Sequence, residues 1–468
     1  MKPINTRTRY IILTLSALAV FTACERTLSD DAILPTFPKT AEIFTDDFIG
    51  MGANFYFPFA DAKPDVFSLD QTEGFESMAS IRIDVPNATD PSGSYAGAIF
   101  RTDGVGRNLT GYDALTFYVK ASQGISLGSV GFGIDYLADK YQVILSNVNV
   151  GTNWTKVIIP IPDPRMLAEE RGLFWFAAGT QGTNGSGYTL WFDEIKYERF
   201  NTLRQVRSSI FEGNLSSVKT FTGTSLTITG LTQLYNLENG KDVTISSTPS
   251  YYNFFSSDTS VATVDALGKV SIKAAGKTEI TASMNGIESE GKLSIESLGN
   301  LPPSPTPTKP PGDVKSIFSD AYTSVTESNF TPNFGGSTTT TTILQTTSGD
   351  ILQYIGNNFT GILFDNTVDG TSFGFLHIDA YVENPSASIG IQIRDIGPNK
   401  TIETNVFTGF PSGDDKDFRT NLSGFQSGVW KSFDIPLSGN ITNQKNNLGA
   451  LIITDGPNFF LDNIYFYK

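Results

Sequence analysis

Histidine and cysteine are almost absent from this sequence. Its 468 residues include one His, His377, and one Cys, Cys24. Zinc sites built from His/Cys clusters, Ser-His-Asp triads with spare histidines and structural disulfides are therefore nearly all excluded. His377 lies in the alternating run 375–381 (FLHIDAY), which is typical of a strand, where most positions serve packing. Any catalysis would therefore depend on carboxylates.

Charge is also scarce, and its balance is negative. Charged residues make up 17 % of the chain, below the ~25 % of an ordinary soluble protein. There are 33 Lys+Arg against 48 Asp+Glu, a formal net charge of −15. Phosphate binding needs clustered basic residues, and none appears, so the sequence argues against a nucleic-acid partner.

Aromatic residues and turn formers are abundant instead. Aromatics reach 12 %, with 35 Phe and 17 Tyr, and the chain has 44 Gly and 23 Pro. This balance favours β-sandwiches with many turns over helical bundles.

The first 24 residues are typical of an export signal. Three basic residues precede the apolar stretch 11–23 (IILTLSALAVFTA), which ends at Cys24. A basic N-terminal segment, a short apolar run and small residues at the cleavage site indicate a secretory signal. The apolar run is shorter than the ~20 residues that a membrane-spanning helix needs. The segment 20–24 (VFTAC) resembles a bacterial lipobox, which implies that Cys24 is acylated. A plain signal peptide with an unrelated Cys is the alternative.

The residues after Cys24 carry a second resemblance, which concerns the cellular location of the protein. The segment 29–31 (SDD) resembles the acidic export tag of Bacteroidetes lipoproteins, which are sent to the outer face of the outer membrane. We expect a flexible leader from 24 to 39, because Pro35 and Pro38 discourage regular structure.

A Pro-rich stretch divides the rest of the chain. The segment 301–312 (LPPSPTPTKPPG) has six prolines in twelve residues and predicts a semi-rigid polyproline II spacer. A softer boundary lies near 200–206. The predicted organisation is a signal peptide at 1–23, the leader, a linker at 298–313, and three domains at 40–200, 204–297 and 314–468.

The first and third predicted domains repeat each other in outline. Strand-length runs with period-two alternation, separated by Gly, Asn, Ser and Asp turns, predict an antiparallel β-sandwich in each. The matching segments are 42–46 and 316–320, 115–119 and 376–382, 130–136 and 389–395, 154–162 and 430–437, and 191–197 and 461–467.

The order of these segments resembles jelly-roll carbohydrate-binding modules. The third domain resembles a C-terminal module of Bacteroidetes glycan-utilisation proteins through 317–323 (IFSDAYT), 329–336 (NFTPNFGG) and 461–468 (LDNIYFYK). That module usually has Trp where this chain has Phe334. The first domain resembles a module of similar proteins through segments at 46–59 (DDFIGMGANFYFPF), 95–101 (YAGAIFR) and 170–179 (ERGLFWFAAG).

The middle domain resembles a different family. Its segment 256–282 (SSDTSVATVDALGKVSIKAAGKTEITA) is similar to bacterial group-2 Ig-like domains, which generally serve as spacers. The expected fold class is therefore all-β, with an Ig-like domain between two jelly rolls.

Candidate sugar-binding residues follow from the chemistry of sugars. A sugar ring exposes apolar C–H faces beside hydroxyls, so a site needs exposed aromatic planes and planar polar groups. Alternation along the strand puts Trp175 on the face opposite to that of Phe174 and Phe176, and we expect Trp175 to form a platform for a sugar ring. We also expect Tyr56 to point outward. The other candidates are Asp135, Tyr136, Phe330, Phe334, Tyr354, Gln392 and Arg394. A core or solvated role is the alternative for each, and Trp154, Trp191 and Trp430 are expected to fill cores.

Structural Ca²⁺ is the one cofactor that the resemblance implies. Jelly-roll modules often carry this ion near the sheet ends, and Ca²⁺ prefers carboxylate and carbonyl oxygens. The candidate ligands are Asp47 and Asp193 in the first domain and Asp320 and Asp462 in the third. Solvated acids are the alternative.

The expected function is non-catalytic glycan capture. The resemblance implies a surface lipoprotein similar in role to the starch-binding lipoproteins of Sus-like systems, with a β-glucan such as laminarin as ligand and a SusC/SusD-like transporter complex as partner. A divergent glycoside hydrolase, or an accessory part of one, is an alternative. However, the Glu-x-Asp-x-x-Glu signature of family 16 hydrolases does not occur. A structural or adhesive surface protein is the second alternative.

Overall fold

The protein is all-β. A computed structural model describes residues 39–135, 140–200, 202–237, 240–324, 328–332, 334–346, 349–405, 409–456 and 458–468. Within these ranges the chain forms 32 strands and six three-residue 3-10 helices. None of the helices described there could span a membrane. The predicted fold class, multidomain β-sandwiches with an Ig-like middle domain, is confirmed.

The strands fall into three consecutive groups, which we name the N-terminal, middle and C-terminal domains. The N-terminal domain has β1 Glu42–Phe44, β2 Tyr56–Pro58, β3 Phe67–Asp70, β4 Ser80–Val85, β5 Ala96–Arg101, β6 Ala114–Ala121, β7 Ile125–Phe132, β8 Val143–Val150, β9 Thr155–Pro160, β10 Gly172–Ala178 and β11 Tyr188–Glu198. The middle domain has β12 Arg204–Ser209, β13 Leu215–Thr220, β14 Ser225–Thr227, β15 Thr232–Asn236, β16 Asp242–Ser247, β17 Asn253–Ser256, β18 Ala262–Val264, β19 Lys269–Ile272, β20 Gly276–Met284, β21 Ile287–Glu288 and β22 Lys292–Ser297. The C-terminal domain has β23 Val314–Phe318, β24 Thr340–Thr346, β25 Gly349–Ile355, β26 Phe359–Val368, β27 Phe375–Tyr381, β28 Ile389–Asp395, β29 Lys416–Leu422, β30 Lys431–Pro436, β31 Leu448–Thr454 and β32 Asn458–Tyr467. The 3-10 helices are Pro164–Met166, Gln181–Thr183, Phe211–Gly213, Pro249–Tyr251, Pro311–Asp313 and Gly439–Ile441.

The two terminal domains have the same strand order. Their first sheets run β3-β4-β11-β6-β9 and β24-β25-β32-β27-β30, with β1 and β23 added on β11 and β32. Their second sheets contain β2-β5-β10-β7-β8 and β26-β31-β28-β29. Every strand of the C-terminal domain thus has a counterpart at the same place in the N-terminal domain, which has β2 as an additional strand.

The Pro-rich segment 301–312 lies along the outer face of the first C-terminal sheet. The Trp430 indole donates a hydrogen bond to the Pro302 carbonyl (2.7 Å), and the Asn463 side-chain amide donates one to the Pro305 carbonyl (2.8 Å). Strand β32 is consequently buried on both faces, whereas β11, its N-terminal counterpart, alternates between buried and half-buried residues. The segment is therefore part of the surface of the C-terminal domain.

The middle domain is joined to the N-terminal domain by a shared sheet. Strand β16 pairs with β8 through Ser246↔Ile144 and Ser247↔Val143, which extends the second N-terminal sheet to eight strands through β16, β15 and β12. One hydrophobic core runs through both domains. The two domains therefore share main-chain hydrogen bonds as well as buried side chains.

Phe221 connects the middle domain to the C-terminal domain. Its buried ring packs edge-on against Tyr381 and Phe460, with a centroid distance of 5.4 Å in each case. Beside it, the Lys219 ammonium lies 3.4 Å from a Glu383 carboxylate oxygen. This junction is apolar at its centre and charged at its edge.

We expect Phe221→Ala to uncouple the C-terminal domain from the rest of the chain. Truncating a buried Phe costs about 3–5 kcal/mol, and both ring partners of Phe221 lie in the C-terminal domain. Calorimetric unfolding of the full chain should then separate into two transitions. Phe255→Ala is the matched control, because the Phe255 ring is exposed in the same domain. An unchanged thermogram for Phe221→Ala would contradict the coupling.

Candidate functional site

The outer face of the second C-terminal sheet carries the strongest candidate site. Ile389, Ile391 and Ile393 on β28 are buried in the core, so the intervening residues point outward. Cross-strand pairing places Gly361, Ile452, Gln392 and Arg419 next to one another on four adjacent strands. At ~4.8 Å per strand, this line, which we call the Gln392 row, spans roughly 14 Å.

An aromatic ring lies at each end of the Gln392 row. At one end the Phe334 ring lies over Gly361, so close that a Cβ atom at position 361 would be 3.1 Å from the ring. Phe334 is also nearly parallel to Phe359, at 15° and a centroid distance of 6.4 Å. At the other end the Arg419 guanidinium lies 4.0 Å from the centroid of the exposed Phe410 ring. The row therefore ends in two flat surfaces.

The polar groups between these rings are held in place. Arg419 donates to Asp417 Oδ2 (2.6 Å) and to the Gly409 carbonyl (2.8 Å), which fixes its guanidinium plane. Gln392 is 9 % exposed, and its Oε1 atom has no hydrogen-bond partner among the described residues. A buried amide oxygen without a donor is energetically costly. This atom is therefore an unpaired acceptor just beneath the surface of the row.

Arg394 shares the outward orientation of Gln392 but is not at the surface. It is 1 % exposed and donates to Thr404 Oγ1 (2.8 Å) and the Glu403 carbonyl (3.3 Å). Its guanidinium also lies 3.5 Å from an Asp415 oxygen and 3.9 Å from an Asp417 oxygen. The expectation that Arg394 hydrogen-bonds hydroxyls on an open face needs correction, because the loop between β28 and β29 covers it.

Two other C-terminal candidates belong to the core. Tyr354, a candidate for sugar binding, lies in β25, fully buried and stacked on Phe459 at 4.7 Å. Burial raises the pKa of its hydroxyl well above the usual value. Phe330 packs edge-on against Phe318 at 5.2 Å and contacts the core. Tyr354 therefore offers no open plane, and Phe330 is half-buried against the core.

In the N-terminal domain, Trp175 faces outward but is covered. As alternation predicts, Phe174 and Phe176 enter the core while Trp175 does not. The Trp175 side chain is nevertheless 5 % exposed, because the Phe59 ring packs edge-on against it at 6.3 Å. Its indole N–H donates to the Phe132 carbonyl (3.3 Å). The expectation of an exposed platform therefore needs correction.

Tyr56 points inward, contrary to expectation. Strand β2 pairs with β5 so that Tyr56 lies opposite the core residue Phe100. The Tyr56 ring stacks on Phe67 at 4.8 Å and packs edge-on against Phe100 at 5.4 Å. Burial, with a contribution from the nearby Asp65 carboxylate, raises the pKa of Tyr56 to about 12. Phe57, the next residue on β2, therefore takes the outward position.

The remaining N-terminal candidates are dispersed. Asp135 accepts a hydrogen bond from Arg101 through its carbonyl (2.6 Å) and lines a charged cavity of about 390 Å³. Tyr136 and Cys24 lie outside the described residues. Trp191, expected in a core, instead lies on the outer face of the first sheet, where its indole N–H donates to Asp70 (3.0 Å).

The predicted calcium ligands occupy equivalent places in the two terminal domains. Asp193 and Asp462 are buried, and each accepts a hydrogen bond from the next backbone N–H, at 2.7 and 2.6 Å. Asp47 and Asp320 are exposed and accept backbone N–H groups of Phe48 and Asp350 respectively. In the described ranges, neither pair is part of a group of three acids with ligand oxygens in reach of one another. Calcium at these aspartates stays a prediction.

Comparison with known families gives one partial match. The family described as the intimin immunoglobulin-like domain matches residues 245–285, which supports the expected Ig-like fold of the middle domain. No curated protein matches the sequence.

Several solved structures are similar in part. A family 30 carbohydrate-binding module is 17 % identical and covers 34 % of this chain and 98 % of its own, with a TM-score of 0.26. A family 11 module from Clostridium thermocellum, in complex with a β-1,3-1,4-mixed-linked tetrasaccharide, is 14 % identical over 33 % of this chain and 96 % of its own (TM-score 0.21). A β-1,2-glucanase from Parabacteroides distasonis is 12 % identical over 56 % of this chain and 39 % of its own (TM-score 0.24).

We expect the C-terminal domain to be more stable at pH 5 than at pH 8. Burial raises the pKa of Asp462 to about 6, so its ionised form disfavours folding above that pH. Burial lowers the pKa of His377, but hydrogen bonds to the Asp379 and Asp434 carboxylates outweigh it and raise the pKa overall. His377 therefore stabilises the fold below its unfolded pKa of ~6.5, and this stability is lost as pH rises through the folded pKa.

Calorimetry at the two pH values measures this difference. The double variant His377→Gln/Asp462→Asn should show a much smaller change in melting temperature between pH 5 and pH 8 than the unmodified chain. An equal change in both proteins would show that other groups are responsible.

Proposed function

We propose that this protein binds a polysaccharide, without cleaving it, along the Gln392 row of the C-terminal domain. The observation that carries the proposal is the buried Gln392 Oε1 without a hydrogen-bond partner in the described part of the chain, between two aromatic ends. A sugar hydroxyl is a donor of the right chemistry for this atom. Polar groups in such sites fix the orientation of a ligand that apolar surfaces hold.

The aromatic ends of the row suit the apolar faces of sugar rings. Phe334 would stack on one sugar of the chain, and Phe410, whose orientation Arg419 supports, would contact another. Ile452 between them adds apolar surface. A row of roughly 14 Å is longer than a single sugar ring, so an oligosaccharide segment is favoured over a monosaccharide.

The ligand class and the location extend this proposal. The segments that resemble glycan-utilisation proteins favour a β-glucan such as laminarin. The lipobox-like residues before Cys24 and the acidic segment after it favour a lipid-anchored protein at the outer surface of the outer membrane, where a SusC/SusD-like transporter would receive the glycan. Calcium at the aspartates of the first and last strands belongs to the same proposal.

We expect Phe334→Ala and Gln392→Ala each to weaken glycan binding by about 3- to 10-fold. The first removes a stacking plane and the second removes one hydrogen bond, and each such contact contributes ~0.5–1.5 kcal/mol. Calorimetric titration of the full chain with laminarin, mixed-linkage glucan, mannan and alginate identifies the ligand and then measures the two variants. Phe334→Trp, which introduces the residue usual in the resembling module, should keep or tighten binding.

Phe255→Ala serves as the control, because it removes an exposed ring in the middle domain, outside the C-terminal domain that carries the Gln392 row. Equal affinity in Phe334→Ala, Gln392→Ala and this control would place the site elsewhere. If no polysaccharide in the panel binds, the glycan-binding proposal fails. Release of reducing ends would instead indicate a hydrolase.

A further inference from the structure

Three acidic side chains meet in the loop that joins β28 to β29. Glu403, Asp414 and Asp415 are separated by up to twelve positions in the sequence, yet each offers a carboxylate oxygen within 4.8 Å of the others. The backbone holds them together, because the Glu403 N–H donates to Asp415 Oδ2 (3.0 Å) and the Asp414 N–H donates to Glu403 Oε2 (3.1 Å). The group is therefore built into the loop and is not a chance meeting of mobile side chains.

Two carboxylate oxygens of this group are buried without a partner. Asp415 is 3 % exposed, and its Oδ1 atom makes no hydrogen bond within the described residues; the same holds for Asp414 Oδ1. The nearest cation, Arg394, lies 3.5 Å from the other Asp415 oxygen and also interacts with Asp417. One guanidinium thus faces several carboxylates. Buried carboxylate oxygens of this kind are stabilised either by protonation or by a further positive group.

The donor set selects the class of cation. All three ligands are hard carboxylate oxygens, and no His or Cys among the described residues belongs to the group, which disfavours zinc and copper. Ca²⁺ binds about six to eight oxygens at ~2.4 Å in a flexible geometry and often takes several carboxylates from the protein. Mg²⁺ requires a tighter octahedron at ~2.1 Å and retains several waters. A group of three protein carboxylates therefore fits Ca²⁺ better than Mg²⁺, which proteins usually hold with one or two.

We propose that Glu403, Asp414 and Asp415 form a Ca²⁺ site, distinct from the aspartates of the first and last strands. Water completes the coordination, as is common for this ion. The bound ion neutralises the acids that surround Arg394 and fixes the loop that covers this arginine. The inference does not depend on glycan binding, since it rests on the three carboxylates and on the two buried oxygens among them that have no partner in the described residues.

The test is calcium titration of the chelator-treated full chain. Calorimetry and terbium luminescence should detect one site that Asp414→Asn and Glu403→Gln each weaken at least tenfold, with Mg²⁺ competing poorly. Ca²⁺ should also raise the melting temperature of the unmodified chain, and the increase should be smaller in these variants. Two substitutions are used so that misfolding of one, seen by circular dichroism, leaves the other informative.

Two controls separate this site from other acids. Asp365→Asn removes an exposed carboxylate of the same domain outside the group and should leave Ca²⁺ affinity unchanged. Asp462→Asn removes a predicted ligand of the last strand and should leave this site intact. Absence of Ca²⁺ binding at millimolar concentration, or binding that only Asp462→Asn weakens, would overturn the proposal.

Discussion

The pleat of the β-strands is the constraint on which both terminal domains depend. Each strand must bury alternate side chains against the opposite sheet, so only the outward positions are left for contact with anything else. On β28 this places Ile391 and Ile393 in the core and Gln392 between them on the outer face. On β10 it places Phe174 and Phe176 inside and Trp175 outside. Whether a domain can bind a ligand on a sheet face therefore depends on whether the outward residues of that sheet are exposed or covered.

The two domains share a strand order but differ in which faces are covered. In the N-terminal domain Phe59 packs over the outward Trp175. In the C-terminal domain the corresponding sheet carries Phe334 and Gln392, whereas the outer face of its other sheet is covered by the Pro-rich segment. The two copies of the internal repeat thus differ in which of their outer faces are covered by other segments. The C-terminal face is the one with the features of a binding surface.

The middle domain is more than a spacer between these sandwiches. It continues a sheet of the N-terminal domain through β16 and contributes to the same core, and Phe221 inserts between rings of the C-terminal domain. Contacts of this kind resist independent rotation of the domains. A site on the C-terminal domain would consequently be held in a defined orientation relative to the other two.

The sequence by itself determined the secondary structure, the internal repeat and the outward position of residues such as Trp175 and Gln392, because all of these follow from period-two alternation along a strand. The sequence could not determine which of these outward side chains are covered by other parts of the chain. Whether an outward side chain meets solvent depends on distant segments: Phe59 covers Trp175, and the loop between β28 and β29 covers Arg394. Tyr56 was misjudged because a three-residue strand gives too little pattern to set its register, which pairing with β5 decided. The grouping of Glu403 with Asp414 and Asp415 likewise arose only in the folded chain, since the loop between β28 and β29 folds back on itself through an antiparallel bridge between Thr404 and Pro411.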